Sequence, residues 1–342
     1  MKQARVVGPS KIEFEEVEKP TINENQVLVK TLYFGICGSD MSVYHGTHKY
    51  CKDQVVMGHE VSVEIVEVGA NVKDFAVGDL VTVEPQLTCG ECYPCITGRF
   101  NVCEHLKVMG IHADGFNAEY VAVDPALLHK APQDMDPQLL TLVEPLAVGV
   151  AAVKRSNRLK GGNVLVIGFG TIGHFVAQAA KALGAGKVMV TDLNDDKLQY
   201  ALECGMDYAI NTGKEDLKEA IDKNFGKRKC DVIIDCVAHP AVFQQLLEVA
   251  RPDSDIVVTG NFTKIFEFEV PLIQRREINI LGHFMYVRED FHDAIDLLYN
   301  NKIEVSKTIT AVYDFADYKE ALQYIDDNPL DVMKILVKVA QD

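Results

Sequence analysis

The chain has 342 residues, 48% hydrophobic and 25% charged, with a formal net charge of −16, a balance typical of a globular protein with one large or two medium domains. So acidic a chain lacks the basic face that a nucleic-acid partner requires. No apolar run reaches the length of a membrane span, and the opening "MKQARVVGPS" has no signal-peptide core, so the expectation is a cytoplasmic protein with no membrane partner. Thiols stay reduced there, and nine cysteines cannot pair completely within one chain.

From Met1 to about Pro132, short valine-rich runs such as "QVLVKTLYFGIC" and "EVSVEIVEVGANV" are broken by Gly, Pro, Asn and Asp. This predicts mostly antiparallel β-structure with long irregular insertions. Within it stand Cys37 and Ser39 in "GICGSD", and His59 and Glu60 in "VVMGHEVSV". Four cysteines follow within sixteen residues, Cys89, Cys92, Cys95 and Cys103, separated by two, two and seven residues. Such a cluster reads as a disulfide framework, an iron–sulfur centre or a zinc site. A reducing compartment disfavours the first, and thiolates suit both of the others. Ferredoxin-type runs have a shorter last gap and a proline after the fourth cysteine, whereas Glu104 follows Cys103.

After about Val150 the rhythm becomes strand, then helix, repeatedly: "NVLVIG", "KVMVTD", "DYAIN", "CDVIIDCV", "SDIVVTG" and "EINILG" alternate with helical stretches. Six such strands predict a parallel, doubly wound α/β sheet. The first is followed by Gly168, Gly170, Ile172 and Gly173 in "GFGTIG", a G-x-G-x-x-G pattern opening a helix. In that context Gly168 makes the tight turn, Gly170 lets a pyrophosphate approach the backbone, and Gly173 lets helix pack on strand. Asp192 ends the next strand, 22 residues after Gly170, where a carboxylate accepts ribose hydroxyls and repels a 2′-phosphate. The expected cofactor is NAD. From about Met285 the chain turns helical and then extended, in "MKILVKVA".

These motifs, with "VEPLAVG" and its Glu144 at the junction of the halves, stand in an order that resembles the zinc-dependent medium-chain dehydrogenase/reductase superfamily over essentially the whole chain. "VEPL" and the His-Glu pair resemble its polyol branch, which includes sorbitol, threonine and sugar-acid dehydrogenases. The resemblance implies a GroES-like catalytic domain at 1–145, a Rossmann domain at 146–284 that binds NAD, and return of 285–342 to the catalytic domain. It also implies two Zn²⁺ per chain. The structural one is held in a lobe at about 85–105 by Cys89, Cys92, Cys95 and Cys103, a closed thiolate tetrahedron with no position for substrate. The catalytic one is held by Cys37, His59 and a carboxylate, with the fourth position open. Adjacent strand residues face opposite ways, which favours Glu144 over Glu60 unless Gly58 permits a bend; in the polyol branch the glutamate after the histidine can reach the metal, so both stand. Ser39 matches the family's relay hydroxyl. Many relatives end that relay with a histidine where this chain has Ser42, and His45 is the nearest substitute. The family also suggests a homodimer or homotetramer, with "EINILG" as an edge strand pairing across a two-fold axis.

For the substrate, "MSVYHGTHKYCKDQ" sets His45, His48, Lys49 and Lys52 against Asp53 alone, a basic stretch suited to a sugar acid. "MGIHADGFNAEY" with His112 resembles a segment of hexonate 5-dehydrogenases of the L-gulonate, L-idonate and L-galactonate type. Met285 stands where sorbitol-type enzymes carry an arginine. The leading expectation is hydride transfer from a secondary alcohol of a polyol or sugar acid to NAD. L-Threonine and polyol phosphates are the alternatives within the family, and a non-catalytic binding or structural protein is the alternative outside that class.

Overall fold

The computed structural model describes residues 1–51 and 54–340. They form two compact units: Met1–Glu144 with Val287–Asn300 and Ser306–Asp342, and Pro145–Tyr286 with Asn301–Val305.

The first unit is built on a sheet in which Leu128–Lys130, Leu80–Val83, Glu60–Val68, Val27–Ile36, Lys334–Lys338 and Ile309–Asp314 follow one another, with Tyr120–Val123 also pairing to Val27–Ile36. Val27–Ile36 is the spine, and its Val27, Leu28, Val29, Phe34 and Ile36 are buried. It pairs antiparallel with Glu60–Val68 on one edge and Lys334–Lys338 on the other, with Gly35 opposite Glu60 and Ile36 opposite Ile335. This register brings the residue after the spine, Cys37, to the start of the Glu60 strand and the start of the C-terminal strand. The "EDFHDAIDLLYNN" stretch forms the helix Arg288–Tyr299.

The second unit carries six parallel strands, ordered Tyr208–Asn211, Lys187–Asp192, Asn163–Ile167, Val232–Asp235, Asp255–Val258 and Asn279–Gly282. Every residue of Asn163–Ile167 is buried, because helices cover both faces of such a sheet and select continuous apolar runs. Leu165, Ile233 and Ile256 pack with Leu217, Ile221, Phe243 and Leu246 of two covering helices. The strand order reverses beside Asn163–Ile167, and in this topology a ligand crevice opens at the carboxyl ends of the strands there. Asn279–Gly282 is the edge strand that "EINILG" predicts. Among the described residues, no helix is long and apolar enough to cross a membrane.

Candidate catalytic metal centre and cofactor loop

Cys37 is the residue at which the spine strand gives way to the helix Gly38–Tyr44. The Asp40 carboxylate reaches back to accept the Cys37 N–H at 2.9 Å, a reciprocal cap that fixes the turn. His59 and Glu60 arrive from the neighbouring strand. One donor atom each from Cys37, His59 and Glu60 lie within 4.8 Å of one another, compact enough for one ion with bonds of ~2.0–2.3 Å after small adjustments. Ser39 Oγ is 3.4 Å from His59 Nε2.

Glu60 joins this group because the chain bends just before it. Gly58 has φ +93, and a Cβ there would meet Asn117 Oδ1 at 2.2 Å. The bend removes the simple in–out alternation of His59 and Glu60, so strand geometry gives no preference for Glu144 over Glu60 here. Glu144 is buried in the first turn of the helix Val143–Val153 and lies outside the three-residue group.

Two residues that sequence reasoning missed complete the arrangement. Asp40 Oδ1 lies 3.3 Å from His59 Nδ1, both side chains being almost wholly buried. Burial alone would push the imidazole pKa down, but the Asp40 charge outweighs it and holds the value well above the ordinary one. That carboxylate orients the ring so that Nε2 faces the other donors. Its signal was legible as a Cys-x-x-Asp capping-box spacing. The second is Lys334, whose buried ammonium donates to Glu60 Oε1 at 2.7 Å, Glu60 Oε2 at 2.6 Å and the Ile36 carbonyl at 3.1 Å. It sets one positive charge against the Cys37 thiolate and Glu60 carboxylate. Burial would lower its pKa, but Glu60 and Cys37 raise it.

The four-cysteine lobe is a separate construction. Cys92 Sγ is 3.5 Å from Cys95 Sγ and 3.9 Å from Cys103 Sγ, and Cys103 Sγ is 3.6 Å from Cys89 Sγ. A zinc ion with Zn–S bonds of ~2.3 Å would set tetrahedral sulfurs ~3.8 Å apart. The set therefore fits one ion, is too compact for a four-iron cube, and holds no disulfide. The Cys89 and His105 N–H groups point at Cys103 Sγ at 3.4 and 3.3 Å.

In the second unit, Gly168 has φ +86 and follows Asn163–Ile167 directly. A Cβ on Gly173 would lie 1.8 Å from the Gly168 carbonyl, whereas one on Gly170 would meet nothing within 4 Å. The third glycine is thus required by packing, and the second leaves room above the N-terminus of the helix Thr171–Ala182, which fits a pyrophosphate. Ile172 lies in the first turn of that helix. Asp192 Oδ2 accepts the Phe169 N–H at 2.8 Å, and its Oδ1 accepts those of Leu193 and Asn194 at 2.8 and 3.0 Å. The carboxylate is held beside the glycine loop, where the adenosine ribose of a dinucleotide would lie.

His45 is committed elsewhere: its Nδ1 is 3.0 Å from Ser10 Oγ and its Nε2 2.9 Å from Asp326 Oδ1. The Ser42 hydroxyl donates to the Gly38 carbonyl. Of the basic stretch, Lys49 lies 5.3 Å from the Tyr50 ring centroid, and Lys52 and Asp53 lie outside the described residues.

Residues 23–133 match the alcohol dehydrogenase GroES-like domain and residues 171–300 the zinc-binding dehydrogenase domain. An L-threonine 3-dehydrogenase of Bacillus velezensis is 38% identical, covering 90% of each chain. A 2-dehydro-3-deoxy-L-galactonate 5-dehydrogenase of Pseudoalteromonas atlantica is 32% identical over 98% of each. The NADH complex of an alcohol dehydrogenase (rspB) from Escherichia coli CFT073 superposes with a TM-score of 0.92 at 32% identity, covering 99% of both chains.

Proposed function

We propose that this chain, which belongs to the zinc-binding dehydrogenase family, oxidises the C5 hydroxyl of a six-carbon sugar acid of the L-gulonate, L-idonate or L-galactonate type with NAD⁺ as acceptor. The family makes the chain a zinc-dependent dehydrogenase of the polyol and sugar-acid branch that works with a nicotinamide dinucleotide. The substrate and the preference for NAD⁺ are our reading.

The observation that carries the reading is the group Cys37, His59 and Glu60 with Ser39 alongside. Zinc held by Cys37, His59 and Glu60 would supply a Lewis acid that eases loss of the alcohol proton, and a dinucleotide held at the glycine loop would supply the hydride acceptor. The Ser39 hydroxyl, 3.4 Å from His59 Nε2, offers a route by which that proton can leave. Asp40 holds His59 in one orientation, and Lys334 neutralises part of the negative charge that Cys37 and Glu60 bring. The four cysteines hold the second zinc as a clamp on their lobe. Asp192 favours NAD⁺, since its charge repels a 2′-phosphate.

The sugar acid is supported by the likeness to a 2-dehydro-3-deoxy-L-galactonate 5-dehydrogenase and by the "GIHADG" segment, which with the two residues after it is docked on the stretch Val56, Met57 and Gly58 that leads into His59 and Glu60. Gly115 N–H donates to the Val56 carbonyl at 2.7 Å, Phe116 to Gly58 at 3.0 Å and Asn117 to Met57 at 2.9 Å. L-Threonine is the second reading, resting on the 38% identity to a threonine dehydrogenase. We also place the protein in the cytoplasm, as a homodimer or homotetramer. Steady-state kcat/KM with NAD⁺ for L-gulonate, L-idonate and L-galactonate, set against sorbitol, galactitol 1-phosphate and L-threonine, tests the assignment. A neutral polyol, a phosphate or threonine with the highest value would overturn it.

A further inference from the structure

The first unit contains a cavity of about 520 Å³ lined by Tyr50, Cys51, His105, Lys107, His112 and Asp114, among others, and His48, two residues before Tyr50, lies within electrostatic reach of His112 and of Asp40 and His59 at the metal centre. Two histidines stand at it in the same unusual state. His112 lies in the cavity wall, and its Nδ1 accepts the backbone N–H of Val108 at 3.1 Å. His48 starts the loop that carries Tyr50 and Cys51 to the wall, and its Nδ1 accepts the Cys51 N–H at 3.1 Å and the Tyr50 N–H at 3.4 Å. An imidazole nitrogen that accepts a backbone N–H carries no proton, so the neutral ring must carry it on Nε2. The backbone therefore fixes both side chains as Nε2–H donors that accept nothing at that nitrogen.

Resting on the sugar-acid reading, we infer that His48 and His112 are specificity residues that present two fixed, neutral N–H donors to the acceptor oxygens at the end of the substrate remote from the reacting carbinol. Donors of this kind suit a carboxylate or carbonyl oxygen. They cannot receive a hydrogen bond from an ammonium group, so a donor group on the substrate finds no partner at these nitrogens.

The groups around the rings agree with a neutral state. Partial burial lowers the pKa of His48; His112 and His59 lower it further, and Asp40 works the other way. Partial burial and then Lys107 lower that of His112. Of the cavity's acids, Asp114 is paired to Arg5 at 2.9 Å, and Glu104 faces the same space. Lys107 and Glu104 set one charge of each sign in the lining, so the two histidines supply the direction of the subsite. In the sequence His48 belongs to a basic stretch, but the backbone N–H groups at its Nδ1 make it a neutral donor.

The test combines tautomer and kinetics on the zinc-loaded holoenzyme. Long-range ¹H–¹⁵N spectra of histidine-labelled protein should show the neutral form of both rings with its proton on Nε2. His112→Phe and His48→Phe should each lower kcat/KM for L-idonate by ~10-fold, the worth of one directed hydrogen bond, while changing 2,3-butanediol, which lacks the remote oxygens, by less than ~2-fold. His112→Gln and His48→Gln, whose amide N–H falls near the Nε2 position, should recover most of the loss. Equal losses on both substrates, no recovery by glutamine, or a neutral form with its proton on either Nδ1 would overturn the inference. Wild-type preference for sorbitol or threonine would instead overturn the sugar-acid reading, and the spectra and the variant ratios on the preferred long substrate would still decide the role of the histidines.

Discussion

Replacing Lys334 by Met asks whether Glu60 serves the metal or only an ion pair. The Lys334 and Glu60 side chains are 3% and 1% exposed, so solvent screens neither. The variant leaves a buried carboxylate close to the Cys37 thiolate with its countercharge gone, and breaking one side of such a pair costs ~3–5 kcal/mol. That full cost should appear in urea unfolding of protein from which the labile zinc has been removed by mild chelation. With zinc restored, the ion supplies the missing positive charge if Glu60 reaches it. The remaining loss should then fall to ~1–2 kcal/mol, the worth of the bond to the Ile36 carbonyl. Released from lysine, Glu60 is a stronger donor, so the variant should hold zinc more tightly against chelators yet turn over more slowly. Lys334→Met combined with Glu60→Gln should recover at least ~2 kcal/mol of the metal-free loss, since no unpaired charge remains. An equal destabilisation with and without zinc would refute the reasoning and reduce Lys334–Glu60 to a structural pair.

What was legible in the sequence was what short-range pattern encodes. Parallel strands buried on both faces leave continuous apolar runs, from which Asn163–Ile167 and Val232–Asp235 can be read, whereas the mostly exposed edge strand Asn279–Gly282 is read from its place in the strand–helix rhythm. The Gly168–Gly170–Gly173 spacing is equally local, because each glycine answers a contact within one strand–turn–helix unit. Lys334 was not legible. In "MKILVKVA" it looks like a lysine at the mouth of a strand, and only the register of that strand against Val27–Ile36 carries it to Glu60, 274 residues earlier in the chain. The orientation of Glu60 is open in the sequence because alternation assumes a regular strand, and whether Gly58 bends this one is visible only in its φ of +93. His45 looked available for a proton relay because its partner Asp326 is 281 residues away.

The other predictions separate the remaining parts. Cys103→Ser should chiefly destabilise, with loss of the tightly held zinc, whereas Cys37→Ser should chiefly abolish turnover and lose the labile zinc; metal analysis and thermal melts showing the reverse pattern would exchange the two assignments. Asp192→Ala should lower kcat/KM with NAD⁺ and narrow the preference over NADP⁺, and a wild-type enzyme already preferring NADP⁺ would sink that role. The last concerns acid stability. His174 follows the glycine loop in the helix Thr171–Ala182, wholly buried, stacked on Tyr200 at 5.3 Å and edge-on to Phe169 at 5.3 Å. Burial pushes its pKa from 6.5 down to about 3. Between those values the unfolded chain binds a proton that the native state refuses, so stability falls as pH drops through this window. At pH ~5 the loss reaches ~2 kcal/mol, about one and a half pH units at ~1.36 kcal/mol each. His174→Phe removes that slope, so denaturant melts at pH ~7 and ~5 should show the stability gap between wild type and variant shifting by this amount in the variant's favour at the lower pH. Parallel pH dependences in the two proteins would mean that His174 takes up its proton without unfolding the helix beneath the cofactor loop.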